Sequence, residues 1–176
     1  ISSVTPVFSA TAASMGLSSR TISAFTRFNT VIVMGELSGS AEAVELLPVR
    51  LTLGGRAAER VALVDTGNTL TDPASGRPVM VAEGARLAAI FPQDNRPERG
   101  DLEDPPSGLV RPGRGAWRGR FSLLPYRSVG VSRGLLLAVR VDGIELAGRE
   151  LGPLLVARSP TPVSDGGGYG ALVAPL

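Results

Sequence analysis

The chain has no histidine, no cysteine and no lysine. Ser-His-Asp and Cys-His nucleophiles, histidine zinc sites, thiol redox chemistry and Schiff bases are therefore excluded within it. What remains for hydrolysis is carboxylate chemistry, alone or with a hard metal. One carboxylate is placed for it, in Val61-Ala62-Leu63-Val64-Asp65-Thr66-Gly67-Asn68. Four apolar residues, β-branched at both ends, read as a buried strand that breaks into a polar turn carrying Asp65. Thr66, Gly67 and Asn68 form the loop that supports the acid. Gly67 suits a backbone conformation that other residues reach only at a cost, and the Thr66 hydroxyl can bond to a partner loop.

A strand that delivers an Asp-Thr-Gly loop is the presentation an aspartic peptidase uses, and that chemistry needs two carboxylates. Like charges in contact cannot both ionise, so the pair shares one proton; the ionised member takes a proton from water while the neutral one donates to the scissile carbonyl. Only one Asp-Thr-Gly occurs here, and the nearest imitation, Ser164-Asp165-Gly166, has the wrong order and no buried strand before it. The expectation is a homodimer in which each chain lends its Asp65 on a two-fold axis. The same tripeptide also suits an ordinary strand-to-turn corner. A non-catalytic interaction module and a carboxylate-metal hydrolase stay open as rivals.

The elements that must position Asp65 are short. At 176 residues the chain suits one core, and it is too short for a two-lobed, single-chain aspartic peptidase. With 22 Gly, 14 Pro and 5% aromatics, it favours strands and turns over long helices. A net charge of +2 creates no field that points to nucleic acid. Residues 1–42 are expected to be an N-terminal arm or linker, followed by one domain over 43–176. Val49, Leu51 and Leu53 alternate with polar residues, Gly54-Gly55 supplies a turn, and Val61 to Val64 returns as the second strand of a hairpin. A turn at 72–78 could cover a substrate like a flap, or be a plain surface turn. Val79 to Val81 reads as a strand and Ala85 to Ile90 as a short helix. Residues 92–119 read as a loop or partly disordered insertion, with Trp117 anchoring its end. Further strands are expected around Phe121–Gly130, Leu135–Val139, Leu154–Ala157 and Ala171–Val173, with a turn at Val141–Ile144.

Three blocks together carry a resemblance. The first runs from Ala62 to Pro73 and resumes at Gly76-Arg77-Pro78-Val79-Met80-Val81. The second is Leu124-Pro125-Tyr126-Arg127-Ser128-Val129-Gly130 with Leu135-Leu136-Leu137, and the third is Ser164-Asp165-Gly166 with Tyr169 to Leu172. In this order they resemble the sporulation sigma-E factor-processing peptidase (SpoIIGA) family over roughly Ala43 to Leu176. The resemblance implies a mainly β, retropepsin-like closed β-barrel with one or two short helices. It implies an aspartic endopeptidase without cofactor or metal, in which Asp65 is the catalytic residue and Thr66 and Gly67 its support. It also implies a membrane-associated parent with the peptidase domain in the mother-cell cytoplasm, pro-sigma-E as substrate and a signalling protein from the forespore. Asn68 departs from the Ala, Ser or Thr usual in retropepsins. Leu154-Leu155-Val156-Ala157 is the expected counterpart of their late apolar-apolar-Gly run, which packs behind the active-site loop.

Overall fold

The computed structural model describes residues 24–27, 30–34, 43–110, 117, 119–128, 131–164 and 166–175. Strands β1 (Ala24–Arg27) and β2 (Thr30–Met34) precede the expected hairpin, which forms as β3 (Ala43–Leu53) and β4 (Arg56–Val64). In β3 the residues Leu47, Val49, Leu51 and Leu53 are buried while Pro48 and Arg50 are exposed, the alternation of a strand with one face on a core. Gly54 and Gly55 both take positive φ, 57° and 76°, which a two-residue turn needs to join twisted strands. The outer edge of β3 pairs with β2 up to Leu46 and with another strand from Val49 onward. Pro48 sits at that handover, where its missing N–H costs no ladder bond.

The remaining strands are β5 (Met80–Glu83), β6 (Phe121–Ser128), β7 (Val131–Arg140), β8 (Gly143–Leu146), β9 (Arg149–Gly152), β10 (Leu155–Ser159) and β11 (Ala171–Val173). All eleven belong to one mixed sheet, nine of them along the path β1-β2-β3-β4-β11-β5-β10-β7-β6, with β8 and β9 branching from β3. The mainly β class holds, but the closed barrel does not: β1 and β6 end the path and, among the described residues, no pairing joins them. Closure requires every edge to find a partner at a consistent tilt and shear. Here β3 shares one edge between β2 and β8, so the sheet branches. At the other end β6, among the described residues, pairs only with β7, carries Pro125, and slips register between Tyr126 and Ser128. These features end ladder growth.

One face of the sheet holds the main core, built from the β3 leucines with Met80, Ala82, Leu137, Val139, Ile144, Leu146, Val156 and Ala171. The opposite face holds a smaller cluster of Val79, Leu124, Leu136, Ala138, Leu155 and Ala157. The expected helix at 85–90 is only a 3₁₀ turn, Ala88–Ile90. Six residues are too few to nucleate an α-helix unaided. The 92–119 insertion contains α1 (Arg99–Glu103) and α2 (Pro105–Val110). Leu102 reaches the core so closely that a Cβ on Gly84 would stand 2.2 Å from its Cδ1. Trp117 anchors the far end, 6.2 Å from the Phe91 ring. Among the described residues no helix is long and apolar enough to cross a membrane.

Candidate active site

Asp65 leaves the sheet at the end of β4, half-buried, with Thr66 and Gly67 exposed beyond it. Its main chain is still anchored, because its N–H donates to the Val173 carbonyl at 2.8 Å. Val173 belongs to β11, which is inserted between β4 and β5, parallel to the first and antiparallel to the second. The two strands that flank the 65–79 loop are thus wedged apart, and the acid sits at the mouth of the gap. This corrects the expected counterpart behind the loop. Leu154–Ala157 falls at β10, on the far side of β5, and the strand that abuts Asp65 is β11. Both are short apolar runs, and only pairing distinguishes them.

The carboxylate oxygen Oδ1 accepts the Gly67 N–H at 2.8 Å, and the Asp65 carbonyl accepts the Asn68 N–H at 3.1 Å. Gly67 is not in the left-handed region. The reason for glycine is space: a Cβ there would stand 3.1 Å from Oδ1. Asn68 closes the loop, donating from Nδ2 to the Val79 carbonyl at 3.0 Å and accepting the Leu70 N–H on Oδ1 at 3.3 Å. The side chain that departs from the retropepsin pattern therefore ties the Asp65 turn to the entrance of β5. Among the described residues no cation pairs with Asp65, and no three carboxylates converge in a way that could hold a metal.

Side chains alternate along a strand, so Asp65 shares a face with Leu63. Leu63 lies beside Leu172, and Leu172 beside Val81. All three are half-buried, on the face opposite the main core. The acid therefore borders a shallow apolar floor.

The turn that follows holds a residue the sequence reading missed. Asp72 is 3% exposed and accepts from Arg140 Nη2 at 2.8 Å, from Ser75 Oγ at 2.7 Å and from the Ala74 N–H at 3.0 Å. The Arg140 bond, then those of Ser75 and Ala74, lower its pKa from 3.8 to about 2. Arg77 donates to the carbonyls of Pro153 at 2.8 Å and Leu151 at 2.6 Å. Residues 72–78 are thus pinned to β7 and to the β9–β10 connection, as a brace rather than a free flap. The signal was present in Asp72-Pro73-Ala74-Ser75-Gly76, where an Asp before Pro, Ser and Gly forms a side-chain-bonded turn. Arg140 was not foreseeable, because it lies 68 positions away. Of the third block, Ser164 is buried and accepts the Gly168 N–H, while Asp165 lies outside the described residues.

The family described as sporulation factor SpoIIGA matches residues 9–176. The sporulation sigma-E factor-processing peptidase of Priestia megaterium (strain ATCC 12872 / QMB1551) is 29% identical over 141 residues, which cover 74% of this chain and 43% of that protein. A protein of Bacillus thuringiensis subsp. kurstaki, named for processing a sporulation sigma factor, is 24% identical over 141 residues, 74% of this chain and 83% of that one. The chain thus spans less than half the length of the Priestia relative. No solved structure matches. With the Asp65 turn in the geometry described and the match running over nearly the whole chain, this protein belongs to the SpoIIGA family of sporulation peptidases.

Proposed function

We propose that the chain is an aspartic endopeptidase that works as a homodimer and removes the N-terminal pro-sequence of a sporulation sigma factor precursor, pro-sigma-E. The observation that carries this reading is the Asp65 turn itself: a half-buried carboxylate at a strand end, with one N–H donor on Oδ1, an apolar floor and, among the described residues, no cation. A second such turn is absent from the sequence, so the other carboxylate comes from a second copy. The two Asp65 groups share a proton across the axis, and their titration belongs to the pair. One activates water, and the other protonates the carbonyl oxygen as the tetrahedral intermediate forms. Thr66, exposed beside the acid, is free to bond the opposite turn. The name of the Priestia relative supports the substrate.

Subunit mixing tests the dyad. Asp65→Asn alone leaves purified pro-sigma-E at full length on a gel, while the unsubstituted chain shortens it. Adding an equal amount of Asp65→Asn to a fixed amount of unsubstituted chain lowers its rate to about half, because each mixed dimer lacks one acid. An unchanged rate in the mixture would show that one chain suffices and sink the dimer.

A further inference from the structure

A cleft of about 850 Å³ opens on the face that carries Asp65. Its floor is the outer part of β4 and β3, and the Gly167–Gly170 segment and Glu145 form walls. The register shows how it connects to the acid. Stepping outward from Asp65 along the same face, Leu63 lies opposite Leu46, then Val61 opposite Pro48, then Glu59 opposite Arg50. Leu46 and Leu63 are half-buried, Val61 is 41% exposed, and Pro48, Glu59 and Arg50 are exposed. On its other side Arg50 faces Glu145.

From these pairs we infer that the cleft is the outer subsite for an extended polypeptide substrate, taking the residues four to six positions from the scissile bond. The inference rests on Asp65 as the catalytic acid. Each two-residue step along β4 is about 6.6 Å, so Val61 lies about 13 Å and Glu59 about 20 Å from Asp65, matching four and six residues of extended chain. Along Ala62–Val64, next to the acid, both edges of β4 are occupied, by β3 and β11. The substrate therefore crosses the face and is read by its side chains instead of adding a strand. The two inner steps are apolar. At the outer step Arg60 and Arg86 are engaged, Arg60 with the Glu59 and Arg86 carbonyls and Arg86 with Glu83. Glu59 and Glu145 flank Arg50, and their carboxylates are the acceptors that this step offers to a cationic side chain. Across a two-fold axis the twin cleft takes the other flank, so peptides confined to the centre forgo both outer contacts.

The test digests synthetic random-peptide libraries with the full chain, one of about six residues and one of about fourteen, lengths that stop short of or fill both clefts at about 3.3 Å per residue. Mass spectrometry reads the products. Apolar residues should be enriched within four positions of the cut and Arg or Lys at five or six. Val61→Asp should lower the ratio of fourteen-residue to six-residue kcat/KM about tenfold, the scale of one lost apolar side-chain contact. Glu59→Arg, at an exposed position, should turn the outer preference from Arg and Lys to Asp and Glu. Unchanged ratios and preferences in both variants would overturn the cleft while leaving Asp65 in place. Cleavage by Asp65→Asn at the unsubstituted rate would overturn the catalytic reading, and the cleft with it.

Discussion

Two aspartates seven positions apart sit in side-chain-bonded turns on the same stretch, and the fold treats them oppositely. Asp72 is enclosed, with a guanidinium, a hydroxyl and an N–H on its oxygens, and its pKa is lowered to about 2. Asp65 is half-buried, with one N–H on one oxygen and, among the described residues, no ion pair. A carboxylate whose acceptor sites are filled is held in one charge state and serves as a strut. One left partly unsatisfied has acceptor sites free to meet water. Local turn chemistry is alike at the two sites, so the division of labour comes from what the tertiary structure brings to each: Arg140 to Asp72, and among the described residues no cation to Asp65.

Substitutions at the two sites should separate these roles. Asp65→Asn should lower kcat on pro-sigma-E by more than about a thousandfold, within the range of acid–base catalysis, while thermal unfolding stays within about 0.5 kcal/mol of the unsubstituted chain. A large fall in stability would make Asp65 a strut like its neighbour. Asp72→Ala should show the reverse weighting. It leaves Arg140 without its carboxylate and should cost about 2–3 kcal/mol in urea denaturation, the scale of hydrogen bonds to a charged group.

The pH dependence of stability sharpens the same contrast. Because Asp72 binds its proton more weakly folded than unfolded, its contribution is fully present above about pH 4 and is lost as pH falls from 3.8 toward 2. Since Arg140 is partly exposed, the loss should be about 1–2 kcal/mol, absent in Asp72→Asn, read by urea melts across that window. Gly67→Ala should crowd Oδ1 and lower kcat/KM about tenfold with little change in melting temperature, the scale of a small misplacement at the reacting group. A mutant with full activity would show that the turn relaxes freely. Arg77→Gln should have the smallest effect, under about 1 kcal/mol, since its two acceptor carbonyls lie at an exposed edge.

Much of this site was legible from local pattern. The Val61–Val64 run followed by Asp-Thr-Gly located both strand and acid, and Gly54-Gly55 located the hairpin turn, because period-two burial and left-handed turn residues are properties of neighbouring positions. The insertion was misread for the opposite reason. Its polar composition hid α1 and α2, which are held by the few contacts of Leu102 and its neighbours. The closed barrel that the resemblance implies does not form, and a strand list carries no information on which edges meet.

By itself the amino-acid sequence determined the available chemistry, by omitting every imidazole, thiol and lysine amine, and it determined which acid stands at a strand end. The tertiary structure alone decided that β11 wedges β4 from β5 behind that acid, that Arg140 reaches Asp72, and that Asn68 holds Val79. Those partners are joined by sheet register and by close packing, which depend on the whole chain finding one arrangement. Residue type and spacing declare what a side chain can do, while the energy of pairing distant segments decides what it meets.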